Sequence, residues 1–536
     1  MLSLKHIMLI TNSRTARLRF LGMALSSVCL FANPCWAQAK SDLTNCYENG
    51  KTNPDLALQF CTTAIQSGTL SQENLATAYN DRGIAYYNKS DIDRAMQDYD
   101  QAIRINPKFS LPFYNRGIAY NSKKDYDRAI QQLDQAIRLD PSYSIAFVTR
   151  GNAYDDKGDH DRAILEYNEA IRLNPNYAQA FFERGITYKR KGDLDHAIMD
   201  FDQDIRLNPT YSQAFYNRGN SYKDKSDYNR AILDYNEAVR LNPAYWQAFY
   251  SRGVAYYNTR DYDRALQDLD QTIRLNPNYS YAFVMRGDAY DDKGDHDRAF
   301  LDYNEAIRLN PNDPGVYYDR AVTYKRKGDI DHAIQDYDQA IRLNPKYAAA
   351  IYNRGIAYEN KGAYDRAIQD YDQAIALNSN DASAFFRRGL AQFYLGRNEL
   401  AQKDFAVAVQ LRPKDAFTNI WSYVTQARAG NTGGSELQKN AAALDLKQWP
   451  GKIIELYLGT AELESVLAAA KNPDSATEKN QLCEAYFYLA ERALIGGKPL
   501  DASALFQKAL DTGQTTKYEY SAATEELRRL KSSSNH

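Results

Sequence analysis

The chain has 536 residues, more than one compact core can serve, so length alone suggests about three or four globular domains. Its 66 Lys+Arg balance 68 Asp+Glu, which excludes the basic footprint of a nucleic-acid binder. The composition is unusual in one respect: 43 Tyr against 20 Phe and 4 Trp.

The first segment reads as an export signal. Lys5, Arg14, Arg17 and Arg19 precede any acid, an apolar stretch runs from Phe20 to about Phe31, and Ala37-Gln38-Ala39 is a small-x-small cleavage site. The apolar stretch is shorter than the ~20 residues of a spanning helix. Residues 1–39 are therefore expected to leave as a signal peptide, with Met8 an alternative start, and the mature chain to hold no transmembrane segment. Four cations and no acid leave with the leader, taking the net charge from −2 to −6. Neither Cys29 nor Cys35 is directly preceded by the Leu-small-small pattern of lipoprotein processing. The expected destination is the periplasm or the exterior, where disulfides persist.

Residues 40–75 read as a degenerate N-terminal capping repeat, with a short helix over Leu43–Tyr47 and a second over Ala57–Ile65. Terminal repeats are atypical because they must close an open core. Cys46 and Cys61 lie on these two helices and are expected to form a disulfide; Cys483 has no obvious partner and is expected to be reduced.

From Ala76 to Asp415 the chain repeats itself. Arg-Gly recurs every 34 residues, at Gly83, Gly117, Gly151, Gly185, Gly219, Gly253, Gly287, Gly355 and Gly389, with Ala321 in the one missing place. Prolines keep the same step from Pro107 to Pro413, Ser379 being the exception. Gly at position 8 and Pro at position 32 define ten repeats. Within the first, Tyr79, Gly83 and Tyr86 share one helical face, as do Ala95, Tyr99 and Ala102, with a polar turn between. Each unit is thus a hairpin of two short helices, closed by a proline that cannot continue the second. Arg82 and its equivalents are followed sixteen residues later by an acid (Asp98, Glu166, Asp200 and onward, Gln132 excepted), which predicts a repeated two-bond Arg–carboxylate bridge. Residues 110–245 and 246–381 further resemble a tandem duplication, offset by 136 residues.

Tyr79, Gly83, Tyr86, Ala95, Tyr99, Ala102 and Pro107 match the pattern of the tetratricopeptide repeat (TPR) family, which this chain resembles over about two-thirds of its length. The Arg before each Gly departs from the family's usual Leu. The resemblance implies an all-α, right-handed α-solenoid that binds proteins or peptides in a concave groove.

Residues 416–536 lose the phase but stay helical, and Tyr486, Leu489, Ala490, Ala502, Phe506 and Ala509 recover a divergent hairpin at 483–516 before a final helix over about Tyr518–Leu530. Trp449-Pro450, Leu456-Tyr457-Leu458-Gly459 and the run from Cys483 to Leu489 resemble the C-terminal part of the bacterial periplasmic TPR adaptors of the new lipoprotein I kind. That resemblance implies an adaptor for envelope proteases and cell-wall hydrolases. The missing lipid-attachment Cys leaves anchoring and partner identity open.

No catalytic constellation, phosphate loop or paired-Cys zinc motif occurs, so no enzyme activity, cofactor or metal is expected. His160, His196, His296 and His332 read as solvated turn residues copied with their block, and the spacing around Asp155-Asp156 and Asp291-Asp292 is not that of a calcium loop. Two other function classes stay open: self-assembly into an envelope array, and an enzyme hidden in the C-terminal segment. Oligomeric state is not legible.

The groove is expected along positions 5, 9 and 12 of the first helices, ~100° around from the core face. Position 5 offers Tyr114, Phe182, Tyr216, Tyr250, Tyr318, Tyr352 and Phe386; position 9 is polar at Asn152, Asn220 and Asp288; position 12 alternates Asp155 and Asp291 with Lys189, Lys223 and Lys325. No repeat pairs a Lys at position 5 with an Asn at position 9, so the family's carboxylate clamp is absent.

Overall fold

The computed structural model describes residues 34–49, 52–430 and 434–533. The expected leader, as far as residue 33, lies outside the described residues. Twenty-nine helices and no strand are found among those described, so the fold is all-α. They form two compact units, one ending at Pro243 and one beginning at Ala244. No described helix is long and apolar enough to cross a membrane.

Each repeat is a helix hairpin, as its spacing predicts. The repeat beginning at Ser144 has helices Ser144–Asp156 and His160–Leu173; the one beginning at Ser280 has Ser280–Asp292 and His296–Leu309. In eight of the ten repeats the second helix starts where an Asp side chain takes an orphan backbone N–H, as Asp91 does from Arg94 at 3.1 Å; Ala363 and Arg397 stand in that place in the last two and give no such cap. Such a cap contributes about 1 kcal/mol. One residue earlier the turn enters the left-handed region. Gly158 (φ 90°) and Gly192 (φ 82°) adopt it freely, whereas Lys124 (φ 60°) and Arg260 (φ 62°) carry a Cβ into it.

The glycine at position 8 lets the paired helices meet. A Cβ on Gly151 would stand 2.6 Å from the Tyr167 ring, inside contact distance, whereas one on Gly253 would stand 3.2 Å from Leu269. Ala321, in the same place, shares a core with Tyr337, and both are fully buried.

The predicted Arg–acid bridges are present. Arg82 holds Asp98 through Nε and Nη2 at 2.7 and 2.8 Å, and Arg116 turns instead to the Gln132 amide oxygen at 3.0 Å. The third nitrogen reaches the preceding hairpin: Arg150 Nη1 to Asp134 and Arg286 Nη1 to Asp270, each at 2.6 Å. One guanidinium thus fastens its own hairpin and the one before it.

The N-terminal hairpin consists of Pro34–Asn49 and Pro54–Gln66, joined by the Cys46–Cys61 disulfide. Its first helix is much longer than Leu43–Tyr47. The segment Ala37-Gln38-Ala39, which read as a cleavage site, lies inside this helix and extends it backwards, and Ala39 is buried. Cleavage after Ala39 would fall within this helix.

Beyond the last repeat come Ala416–Arg428, three short helices, Ser475–Ile495, Pro499–Asp511 and Tyr518–Ser533. The core does not break at the change of phase. Leu390, Phe393 and Phe405 join Trp421, Phe487 and Phe506 in one cluster, with Trp421 5.2 Å from both Phe393 and Phe487. Arg428, between buried Glu491 (3.3 Å) and Glu526 (3.2 Å), ties three of these helices together.

Candidate protein-binding face

The position-5 aromatics divide into two groups. In the first unit Tyr114 and Phe182 are buried: Tyr114 packs on Tyr143 at 5.0 Å, and Phe182 on Phe201 and Tyr211 at 5.8 and 5.1 Å. They serve the contact between hairpins and offer no open ring. Tyr216 keeps part of its surface exposed, 6.0 Å from Tyr235. In the second unit Tyr250, Tyr318, Tyr352 and Phe386 are all half-buried. Each leans on a ring of its own hairpin or the next: Tyr250 on Tyr279 (5.1 Å), Tyr318 on Tyr337 (5.9 Å), Tyr352 on Tyr371 (5.8 Å) and Phe386 on Phe405 (5.4 Å). The outcome is a row of half-buried rings, each packed against another ring, with Phe386 meeting Tyr518 as well (5.7 Å).

Sequence reasoning missed the rings that support them. Tyr143, Tyr211, Tyr279 and Tyr347 sit just before a first helix and pack against position 5. A Pro-x-Tyr recurrence, as in Pro141-Ser142-Tyr143, was the available signal, and it accounts for part of the tyrosine excess.

Position 9 has inward work. Asn152 and Asn220 accept the buried hydroxyls of Tyr167 and Tyr235 at 2.7 and 2.8 Å, and Asp288 accepts that of Tyr303 at 2.9 Å. Position 12 holds the predicted alternation of sign. Asp155 is buried with His160 (2.7 Å) and Arg190; Asp291 repeats this with His296 (2.7 Å) and Arg326. Lys189 lies 3.6 Å from Asp224, and Lys325 donates to Asn353 at 2.9 Å; burial lowers both ammonium pKa values. Lys223 stands 3.5 Å from Asp224. In the second unit burial, helped by neighbouring acids, pushes Asp288 up to about 6 and Asp319 up to about 8. His196 and His332 stack on Tyr188 and Tyr324 beside their capping Asp193 and Asp329. Among the described residues no group of three or more His, Cys, Asp or Glu is placed to hold a metal ion.

At the end of the row, in the second unit, the face closes into a cavity of about 500 Å³. Tyr352, Phe386 and Arg387 meet Arg412, Phe417, Lys517, Tyr518 and Glu519 there. The C-terminal segment forms half of its wall. Nothing local in the sequence joins these residues.

Models of tetratricopeptide repeats match residues 76–109, 111–143, 178–211, 216–279, 318–382 and 364–416, and a TPR repeat model matches 151–192 and 287–328. Together these cover more than half of the chain. The chain belongs to the tetratricopeptide repeat family. Among solved structures, this TPR chain is similar to MamA (28% identity, 30% of this chain and 94% of that one, TM-score 0.30). It is also similar to YrrB, described as a TPR protein with an unusual peptide-binding site (23% identity, 34% and 95%, TM-score 0.30). A third is a TPR protein from Parabacteroides merdae (20% identity, 46% and 98%, TM-score 0.36).

Proposed function

We propose that this TPR chain is an exported, non-enzymatic adaptor that holds polypeptide partners against the first-helix faces of its repeats. The observation that carries the reading is the row of half-exposed rings at Tyr250, Tyr318, Tyr352 and Phe386, each braced from behind by another ring. A braced tyrosine offers a large contact area with a polar tip and loses little side-chain entropy on binding. Lys325, half-buried on the same helix as Tyr318, adds a charge to that contact. The Cys46–Cys61 disulfide is compatible with an oxidising compartment, which supports the periplasm as the site of action. The C-terminal resemblance to periplasmic adaptors supports envelope proteins, such as proteases or cell-wall hydrolases, as partners.

The test begins with crosslinked capture from an envelope fraction, followed by affinity measurement with each purified partner. Tyr216, Tyr250 and Tyr318 are replaced together by Ala, with retention of fold checked by circular dichroism. The expected result is a loss of at least about tenfold in affinity, about 1.4 kcal/mol. A loss below about twofold in the folded variant removes the face as the binding site.

A further inference from the structure

We propose that the cavity between the last repeat and the C-terminal segment receives a basic side chain, Lys or Arg, of a partner polypeptide. Its aliphatic stem lies against Tyr352, Phe386 and Phe417, and its charged head meets Glu519. The proposal deepens the polypeptide-binding reading above and rests on it.

The cavity, about 500 Å³, has room for a large side chain and the backbone that carries it. Its lining is mixed in charge, and what matters is which charges are already occupied. Arg387 is bound to Glu359 at 3.0 Å and lies over the Tyr518 ring at 4.9 Å. Lys517 is bound to Glu484 at 2.6 Å, and Glu484 also accepts the Trp449 indole N–H at 2.6 Å. Arg412, on the exposed rim, donates to the Ser383 hydroxyl at 2.8 Å, and Asp415, also exposed, caps the helix beside it.

Glu519 differs from Arg387, Lys517 and Glu484, which are paired with opposite charges, and from Arg412 and Asp415, which are exposed to water. It is 2% exposed and accepts one side-chain hydrogen bond, from the Tyr488 hydroxyl at 2.8 Å. No cation lies within ion-pair distance of it among the described residues, and Lys517, which attracts it from farther off, is already paired with Glu484. A carboxylate taken out of water without a counter-charge is unfavourable. Burial and the nearby Glu484 accordingly push it up to about 7. An incoming ammonium or guanidinium supplies the missing charge where the dielectric is low and the attraction strong. Aromatic walls suit the same guest, since long basic side chains lay their stems on apolar surface and their cations on ring faces. An anion entering past the rim, where Arg412 has only the Ser383 hydroxyl, would meet Glu484 and Glu519 while Arg387 and Lys517 are already paired.

The test uses full-length protein labelled with nitrogen-15 at tryptophan, because the Trp449 indole N–H is bonded to Glu484 of the cavity wall. The probes are the N-acetyl amides of arginine, glutamine and glutamate. The arginine probe should shift the Trp449 indole resonance saturably, at about tenfold lower concentration than either other probe. Glu519→Gln keeps an oxygen for Tyr488 and should bring the arginine probe to within about twofold of the glutamine probe, with the Trp246 resonance unmoved. Phe417→Ala, which leaves Glu519 in place, should weaken the arginine probe as well and serves if Glu519→Gln fails to fold. No saturable shift, equal response to the three probes, a preference for glutamate, or arginine preference retained in Glu519→Gln would each overturn the proposal. A chain that still captures partners on its tyrosine row but shows no arginine preference loses this inference alone.

Discussion

Asp204 shows how one residue can work against an otherwise uniform repeat. At its position the other repeats carry Ala102, Ala136, Ala170, Ala238, Thr272, Ala306, Ala340, Ala374 and Ala408. Asp204 puts an acid there, 1% exposed, with one carboxylate oxygen lacking a partner. Burial, helped by Glu183 on the paired helix, pushes it up to about 7, and burial, helped by Asp155 and Asp156, does the same to Glu183. The folded chain therefore holds these protons more tightly than the unfolded chain, whose carboxyls titrate near pH ~4. Their contribution to stability is full below pH ~4 and is lost as the pH rises through about 7. Asp204→Ala removes the unpaired acid and inserts the residue its neighbours use. The expected gain is roughly 1–3 kcal/mol at pH about 8, with a flatter decline of the melting midpoint between pH ~5 and ~7. Thermal melts across that range check it, and an unchanged or lower midpoint at the alkaline end counts against the account.

At the scale of the element, the N-terminal hairpin depends on a covalent link because it has little core of its own. Its cluster is Cys46, Ala57, Cys61 and Ala85 with Leu58 and Phe60 beside them. The disulfide closes a loop of sequence separation 15, for which chain entropy predicts about 3 kcal/mol. Replacing both cysteines by Ala should speed amide exchange over 38–66 and leave the hairpins of 110–173 unchanged. Equal exchange in the two proteins would mean that packing alone holds the hairpin. The hairpins themselves were legible because each was written ten times, and the Arg82–Asp98 bridge because both partners lie within one repeat. The second arm, Arg150 to Asp134, has the same spacing of sixteen but runs backwards into the preceding repeat, and only the stacking of hairpins reveals it. The ring at position 5 was legible, but not its burial: Tyr114 and Phe182 are covered in packing with Tyr143 and Tyr211. The cavity was not legible at all. Phe386 and Tyr518 come within 5.7 Å across a segment that has no shared period.

For the molecule as a whole, the quasi-linear order of a solenoid implies that damage stays near its source. The second unit ends in a core that the last repeat cannot close alone. Leu390, Phe393, Tyr394 and Phe405 are essentially fully buried, and Trp421, Phe487 and the helix Tyr518–Ser533 help to cover them. Tyr394 donates to the Tyr518 carbonyl at 3.2 Å, and Arg529 donates to the Phe393 carbonyl at 2.9 Å. Deleting 416–536 exposes several of these side chains, each at a cost of about 1.5–3 kcal/mol on full exposure. The repeat of residues 382–411 should therefore unfold in the truncated chain. The first unit should keep its helicity and its melting transition. Hydrogen exchange resolved by peptide distinguishes the outcomes: protection lost over 382–411 but retained over 110–207 fits this account. Unchanged protection over 382–411 would show that the last repeat closes its own core. The C-terminal segment would then be left with binding as its role, and the same truncated protein tests that through loss of at least one captured partner.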